Sequence, residues 1–156
     1  MVPEPYRSRV LLVDDNRGCR DALYALLESD GYEVLAAGNG PDGLTIFRQS
    51  TRPVELLVTD YDMPRMSGLE LARECARISC EVCVLYVSGS HPDDQLGTDL
   101  QEQKRAFLAK PFLADDLLRK ARELLVESPG RPTVSGTTEF VTGKKAVDSD
   151  AMNVKN

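Results

Sequence analysis

Five short apolar runs mark the first 126 residues, and a segment with helical periodicity follows each of them. Short apolar runs of this kind are typical of strands buried on both faces of a sheet. Their alternation with helices predicts parallel strands joined by helical crossovers. The predicted strands are 10–13, 33–37, 55–59, 82–87 and 106–109.

Helix starts are marked by residues that favour the N-cap. Asn16, Asn39 and Ser67 stand just before the first three helical patterns, and a last pattern runs over 117–125. Side chains of this type accept a hydrogen bond from the first helical turn. The connection 92–104 is polar with few apolar positions, so it predicts only a weak helix.

The expected fold is a doubly wound α/β domain: a five-stranded parallel sheet covered by helices on both faces. A strand order of 2-1-3-4-5 would bring together the carboxyl ends of strands one, three, four and five. We expect residues 9–126 to form this domain and residues 1–8 to be an N-terminal extension. Residues 127–156 hold 8 apolar residues out of 30 without periodicity, which predicts a disordered tail.

Composition and charge narrow the class of protein. The chain has 156 residues, 42% of them hydrophobic and 28% charged, which suits one globular domain. Its 19 basic and 25 acidic residues leave a net charge of −6, the wrong sign for wrapping nucleic acid. No apolar stretch approaches the ~20 residues of a membrane span, and the N-terminus lacks a signal-peptide pattern. We therefore expect a cytoplasmic protein without nucleic-acid or membrane partners.

Reactive side chains follow four of the five predicted strands. Asp14 and Asp15 follow the first, Asp60 the third, Ser88 the fourth and Lys110 the fifth. Parallel strands collect their chemistry at their carboxyl ends, so these side chains should share a pocket. Clustered carboxylates repel one another, and Mg²⁺ with its preference for oxygen ligands would relieve this.

A carboxylate nucleophile beside a metal and an ammonium group suits phosphoryl transfer onto Asp60. The alternative is structural: Asp14 and Asp15 would cap a helix, Asp60 and Ser88 would shape turns, and Lys110 would be a solvated cation. Five such coincidences at one sheet edge are less economical than a single site.

Four segments together resemble the response regulator receiver domains of two-component signalling, which have a CheY-like, flavodoxin-like fold. They occur in the family's order at about its spacing, whereas any one alone would be weak. The segments are VLLVDDN at 10–16, DYDMPRMSG at 60–68, VSG at 87–89 and FLAKPF at 107–112.

The resemblance implies roles for the acidic residues. Asp60 would be the phosphoacceptor. Mg²⁺ would bind Asp15, Asp60 and the backbone carbonyl of Asp62, with Asp14 acting mainly through bound water. An acidic residue at position 62 departs from the common pattern and adds a fourth carboxylate near the metal.

The resemblance also implies a switch. Ser88, Gly89 and Phe107 would respond to phosphorylation, and Lys110 would contact the phosphoryl group from a cis Lys110–Pro111 peptide. Such a domain is not an enzyme in the ordinary sense, since it only gains and loses its own phosphoryl group.

The implied partners are a sensor histidine kinase or histidine phosphotransfer protein as donor, and a downstream protein target. We expect the target to bind the face formed by residues 92–125, including Leu96, Leu100, Arg105 and Phe107. A free-standing chain is favoured, although a receiver fragment of a hybrid histidine kinase fits as well.

Two other functions use some of the same residues. Asp60 and Asp62 resemble the paired aspartates of haloacid-dehalogenase-type phosphohydrolases, but Pro64 stands where that motif needs Thr or Val. A receiver that has lost phosphorylation and serves only for protein contacts is the other, and the full set of site residues argues against it.

The cysteines and the single histidine carry less information. Cys80 and Cys83 have C-x-x-C spacing, which can indicate zinc or redox chemistry. Because the pair enters a predicted strand, its members should point to opposite faces. We expect reduced thiols, and we expect His91 to be a loop residue.

Overall fold

A computed structural model describes residues 5–126; the predicted tail, 127–156, lies outside the described residues, as do residues 1–4. None of the helices within 5–126 is both long and apolar enough to cross a membrane. The strands are β1 (Arg9–Val13), β2 (Glu33–Ala37), β3 (Leu56–Asp60), β4 (Cys83–Ser88) and β5 (Arg105–Ala109). The helices are α1 (Arg17–Ser29), α2 (Gly40–Gln49), α3 (Gly68–Ile78), α4 (Asp94–Asp99) and α5 (Ala114–Val126).

The five strands form one parallel sheet in the order β2-β1-β3-β4-β5. This confirms the predicted fold class and strand order. Strand β2, whose end carries no reactive side chain, lies at one edge. The other four strands are consecutive neighbours. Their carboxyl ends, and the side chains found there, therefore lie together at the carboxyl edge of the sheet, which is the side on which all the parallel strands end.

Two of the candidate site residues lie inside strands rather than after them. Asp60 is the last residue of β3, opposite Val87, and Ser88 is the last residue of β4, opposite Ala109. The apolar pattern placed the ends of both strands one residue earlier, because backbone pairing continues past the last apolar side chain. The sheet therefore holds the backbone of both residues.

The predicted helix caps are present. The side chains of Asn16 and Asn39 each accept an N–H bond of 2.8 Å from the first turn of α1 and α2. Ser67 and Glu70 form a reciprocal pair at the start of α3, each side chain accepting the other's backbone N–H. These caps fix where the loops at the carboxyl edge end and the helices begin.

The core has two parts, one on each face of the sheet. Helices α1 and α5 cover one face, and α2, α3 and α4 cover the other. Consecutive residues of β1 alternate between them, with Leu12 in the first part and Leu11 in the second. Both leucines are fully buried, as the double burial of parallel strands requires.

The placement of Leu96 on a partner surface was wrong. Leu96 is completely buried and packs in the core beneath α4. Since α4 has only six residues and Leu96 is its one buried side chain, this residue provides the contact that seats the helix on the sheet. Leu100 and Phe107 are partly buried against the same part of the core.

The cysteines of the described residues form no disulfide. Cys80 is exposed, whereas Cys83 is buried in β4 and its thiol donates to the carbonyl of Leu124 at 3.3 Å. Within residues 5–126, the one group of side chains close enough to hold a metal consists of aspartates. Cys80 and Cys83 are not part of that group.

Candidate functional site

The loop after β1 holds Asp14 rigidly. Asp14 is 1% exposed, and its Oδ1 accepts the backbone N–H of Asn16 at 2.9 Å. Its own N–H donates to the carbonyl of Ala37 on β2. Asp15, next in the chain, is exposed. One carboxylate is thus buried, while its neighbour in the chain is exposed to solvent.

The position of Asp60 depends on how the following loop folds back. The N–H of Gly68 donates to the carbonyl of Tyr61 at 2.9 Å, which brings the start of α3 against the end of β3. A Cβ atom on Gly68 would lie 2.2 Å from the backbone oxygen of Asp60. Only glycine allows this approach. Asp60 Oδ1 also accepts the backbone N–H of Asp62 at 3.3 Å.

Three carboxylates converge at the carboxyl edge, as predicted. Asp14, Asp15 and Asp60 each offer an oxygen, and these oxygens lie within 4.8 Å of one another. Burial raises the pKa of the Asp60 carboxyl; the Lys110 ammonium opposes this, whereas Asp14 and Asp15 add to it. A set of hard oxygen donors with one exposed member suits Mg²⁺, which keeps part of its water shell.

Lys110 is the cation of this cluster. Its Nζ lies 3.4 Å from Asp14 Oδ2 and 3.8 Å from Asp60 Oδ2. Burial lowers the pKa of the Lys110 ammonium, but Asp14 and Asp60 outweigh burial and leave that pKa raised. The backbone N–H of Lys110 donates to the carbonyl of Ser88 at 2.8 Å, and the Lys110–Pro111 peptide is cis.

Ser88 lies at the same edge but binds a different partner. It is 1% exposed, and its hydroxyl donates to Asp62 Oδ2 at 3.0 Å while accepting the N–H of Ser90 at 3.1 Å. The Asp62 side chain is thus directed to Ser88 and is not part of the acidic trio. A Cβ atom on Gly89 would have no neighbouring atom within 4 Å.

Phe107 lies on β5 beside Tyr86 of β4. It is partly buried and packs against the α2, α3 and α4 side of the core. It does not belong to the acidic cluster. The structure therefore separates the predicted residues into a charged group and an aromatic one.

Three residues near the site were not identified from the sequence. Arg20 on α1 donates to the backbone oxygen of Asp14 at 2.7 Å. The thiol of Cys19, one position earlier, lies against Asp14; burial and then this carboxylate raise the pKa of the thiol. Tyr61 donates its hydroxyl to Asp93 Oδ2 at 2.7 Å. The only sequence signal was their nearness to the aspartates, within one turn of α1 or directly after Asp60.

Known proteins resemble this chain in sequence and in fold. The family model described as "Response regulator receiver domain" matches residues 10–122. The response regulator receiver protein CpdR of Brucella abortus is 32% identical over 123 residues, covering 76% of this chain and 97% of that protein. The response regulator MprA of Mycobacterium avium is 33% identical over 117 residues, 75% of this chain and 50% of MprA.

A crystal structure of a response regulator receiver domain protein from Clostridium thermocellum superposes with a TM-score of 0.71 at 29% identity. The superposition covers 76% of this chain and 94% of the Clostridium thermocellum chain. The chain spans about half the length of several curated relatives, MprA among them, and nearly the whole of CpdR.

The family match begins in β1, passes through every strand of the sheet and ends within α5. Asp60 stands at the end of the third strand, whereas the haloacid-dehalogenase alternative needs its aspartates on the first. The chain therefore belongs to the response regulator receiver domains, the signalling domains of two-component systems.

Proposed function

We propose that this receiver domain accepts a phosphoryl group on Asp60 in a Mg²⁺-dependent reaction and so switches its contacts with other proteins. The observation that carries this proposal is the convergence of three carboxylate oxygens within 4.8 Å, with the Lys110 ammonium 3.8 Å from Asp60. Such a cluster of carboxylates is costly without a bound cation, because the like charges repel one another.

Asp14, Asp15 and Asp60 are the side chains that would hold Mg²⁺, with the backbone carbonyl of Asp62 as a further ligand. When bound, Mg²⁺ would neutralise negative charge on the carboxylates and on phosphoryl oxygens. The fit rests on the donor set, because every side-chain donor is a hard oxygen.

The proposed reaction is a displacement at phosphorus. A carboxylate oxygen of Asp60 forms a bond to the phosphorus, and the bond from phosphorus to the donor's leaving group breaks with its electron pair. Lys110 then pairs with a phosphoryl oxygen, and the Ser88 hydroxyl donates to another. Side-chain exposure of 12% leaves Asp60 accessible to a donor while most water is excluded.

The proposed donors are a sensor histidine kinase or a histidine phosphotransfer protein, and the proposed output is contact with a downstream protein. The output face consists of residues 92–125. Leu96 is not available there, but Leu113, just before α5, is 71% exposed and offers an apolar contact. Phe107 and Gly89 connect this face to the site in the proposed switch.

Intact-mass measurement tests the acceptor. Incubation with acetyl phosphate and Mg²⁺ should add one phosphoryl group to the wild type and none to Asp60→Asn. Asp21→Asn is the matched control, since Asp21 is an exposed aspartate of α1 outside the cluster. It should be labelled like the wild type.

Labelling of Asp60→Asn at the wild-type level would contradict the assignment. Asp15→Ala should lower Mg²⁺ affinity and labelling together, because Asp15 is the exposed member of the trio. Chelation of Mg²⁺ should abolish labelling of the wild type and of Asp21→Asn.

A further inference from the structure

The hydroxyl of Ser88 is committed to a carboxylate that the acidic trio does not use. Ser88 Oγ donates to Asp62 Oδ2 at 3.0 Å, and Ser88 itself is 1% exposed. A serine hydroxyl has one proton to donate. The N–H of Ser90 occupies an acceptor position on the same oxygen at 3.1 Å. The proton of Ser88 therefore points to Asp62 and cannot serve a second acceptor.

Asp62 touches both residues that matter for the switch. Its backbone N–H donates to Asp60 Oδ1 at 3.3 Å, while its carboxylate holds Ser88. A phosphoryl group on Asp60 would change both contacts. It adds negative charge close to the Asp62 carboxylate, and it offers new oxygen acceptors to the Ser88 hydroxyl.

Given the proposed role of Asp60 as phosphoacceptor, we propose that Asp62 is a positioning residue that retains the Ser88 hydroxyl in the unphosphorylated domain and competes with the phosphoryl group for it. Ser88 then has two alternative acceptors. The bond to Asp62 favours the unphosphorylated state, and its loss is part of the free energy of switching.

The direction of the effect follows from this competition. Hydrogen bonds to charged acceptors rank among the stronger ones in proteins. Removing the Asp62 carboxylate should free Ser88 for the phosphoryl group, so a phosphoryl mimic should bind more tightly. Most of this gain should require the Ser88 hydroxyl, and that part separates the proposal from a general loss of negative charge at the site.

A double-mutant cycle tests the proposal. Asp62→Ala, Ser88→Ala and the double variant are titrated with beryllofluoride at saturating Mg²⁺. Asp62→Ala should bind the mimic about tenfold more tightly than wild type. The same change made in the Ser88→Ala background should tighten binding much less, because only the charge repulsion is then relieved. Asp62→Asn, which keeps an acceptor but no charge, should fall between wild type and Asp62→Ala.

A second arm needs no metal or phosphoryl mimic. Urea unfolding of the same four proteins in chelator should reveal a stabilising coupling between Asp62 and Ser88. Zero coupling in this arm would overturn the inference, because the bond would then be absent in the resting protein.

Other outcomes would also overturn it. Equal tightening by Asp62→Ala with Ser88 present and in the Ser88→Ala variant would mean that charge alone is responsible. No tightening by Asp62→Ala with Ser88 present would mean that Asp62 does not compete for the hydroxyl. If the wild type binds beryllofluoride and accepts phosphate, but the four proteins of the cycle reveal no coupling between Asp62 and Ser88, only this inference fails. If the wild type does neither, the phosphoacceptor assignment fails with it.

Discussion

At the scale of single residues, Gly68 shows how one side chain, or its absence, places the acceptor. The first residue of α3 lies so close to the end of β3 that a Cβ atom would meet the Asp60 oxygen at 2.2 Å. That contact is with backbone, which cannot rotate away as a flexible side chain can. Gly68 is therefore part of the site even though it has no reactive group.

Gly68→Ala should destabilise the domain by roughly 1–3 kcal/mol, because either β3 or the start of α3 must move. It should also reduce labelling of Asp60 by acetyl phosphate. Gly97→Ala is the matched control, since Gly97 lies in α4 with no atom within 4 Å of a new Cβ. Urea unfolding should show that this control is stabilised, by about 0.5–1 kcal/mol.

Similar effects of the two alanine variants would contradict this account of Gly68. A destabilised Gly68→Ala that still labelled at the wild-type rate would mean that the strain is relieved on the α3 side, away from Asp60.

At the scale of elements, α4 depends on its surroundings more than any other helix. Six residues are too few for a helix to be stable alone. Tyr61 donates to Asp93 Oδ2, next to the first turn, at 2.7 Å, and Tyr86 donates to Asp99 Oδ2 at the last residue at 2.6 Å. The two rings meet edge to face, with centroids 6.3 Å apart. Residues of β4 and of the loop after Asp60 thus hold both ends of α4.

Alkaline pH should weaken this arrangement. Burial, assisted by the Asp93 carboxylate, raises the pKa of Tyr61 to about 12 from its ordinary value of 10.0. The folded protein therefore binds this proton more tightly than the unfolded chain does. The resulting stability is present in full below pH ~10 and is lost as the pH rises towards ~12.

Urea unfolding at a series of pH values from 8 to 12 measures this effect. Tyr61→Phe cannot lose the proton, so its stability should fall less steeply than that of the wild type above pH ~10. The remaining slope should include Tyr86, whose pKa burial also raises. Parallel curves for the two proteins would exclude Tyr61 as a source of the alkaline loss.

At the scale of the whole molecule, the sheet divides the core in two, and Phe107 of the proposed switch lies on the half that carries α4. Phe107, Tyr86 and Leu96 all belong to the part of the core under α2, α3 and α4. A change at Ser88, the last residue of β4, can therefore reach α4 and β5 through packed neighbours. Couplings of this kind are typically ~1–3 kcal/mol.

Hydrogen exchange with and without beryllofluoride should show changes in residues 88–112 as well as in the loops at Asp14 and Asp60. The short α4 opens at low free-energy cost, so it should respond most. Asp60→Asn, treated identically, should show no change. Changes limited to the two loops would mean that the phosphoryl group does not act on the proposed output face.

The sequence alone determined the order of strands and helices, the parallel sheet, the helix caps and the convergence of Asp14, Asp15, Asp60 and Lys110. The elements and the caps follow from local rules, and the convergence also requires the strand order 2-1-3-4-5. Burial periodicity identifies an element, a cap acts within one turn, and parallel strands end at the same edge. The strand ends were off by one residue at Asp60 and Ser88 because side-chain polarity does not end a backbone ladder.

The tertiary structure alone decided how side chains from distant segments pair. Ser88 binds Asp62 across 26 positions and Tyr61 binds Asp93 across 32, and Leu96 lies inside rather than on the partner face. Such contacts depend on side-chain rotamers and on the spacing of packed elements. Neither can be predicted from a pattern along the chain. From the sequence, a polar loop residue that faces water cannot be distinguished from one that holds a buried hydroxyl.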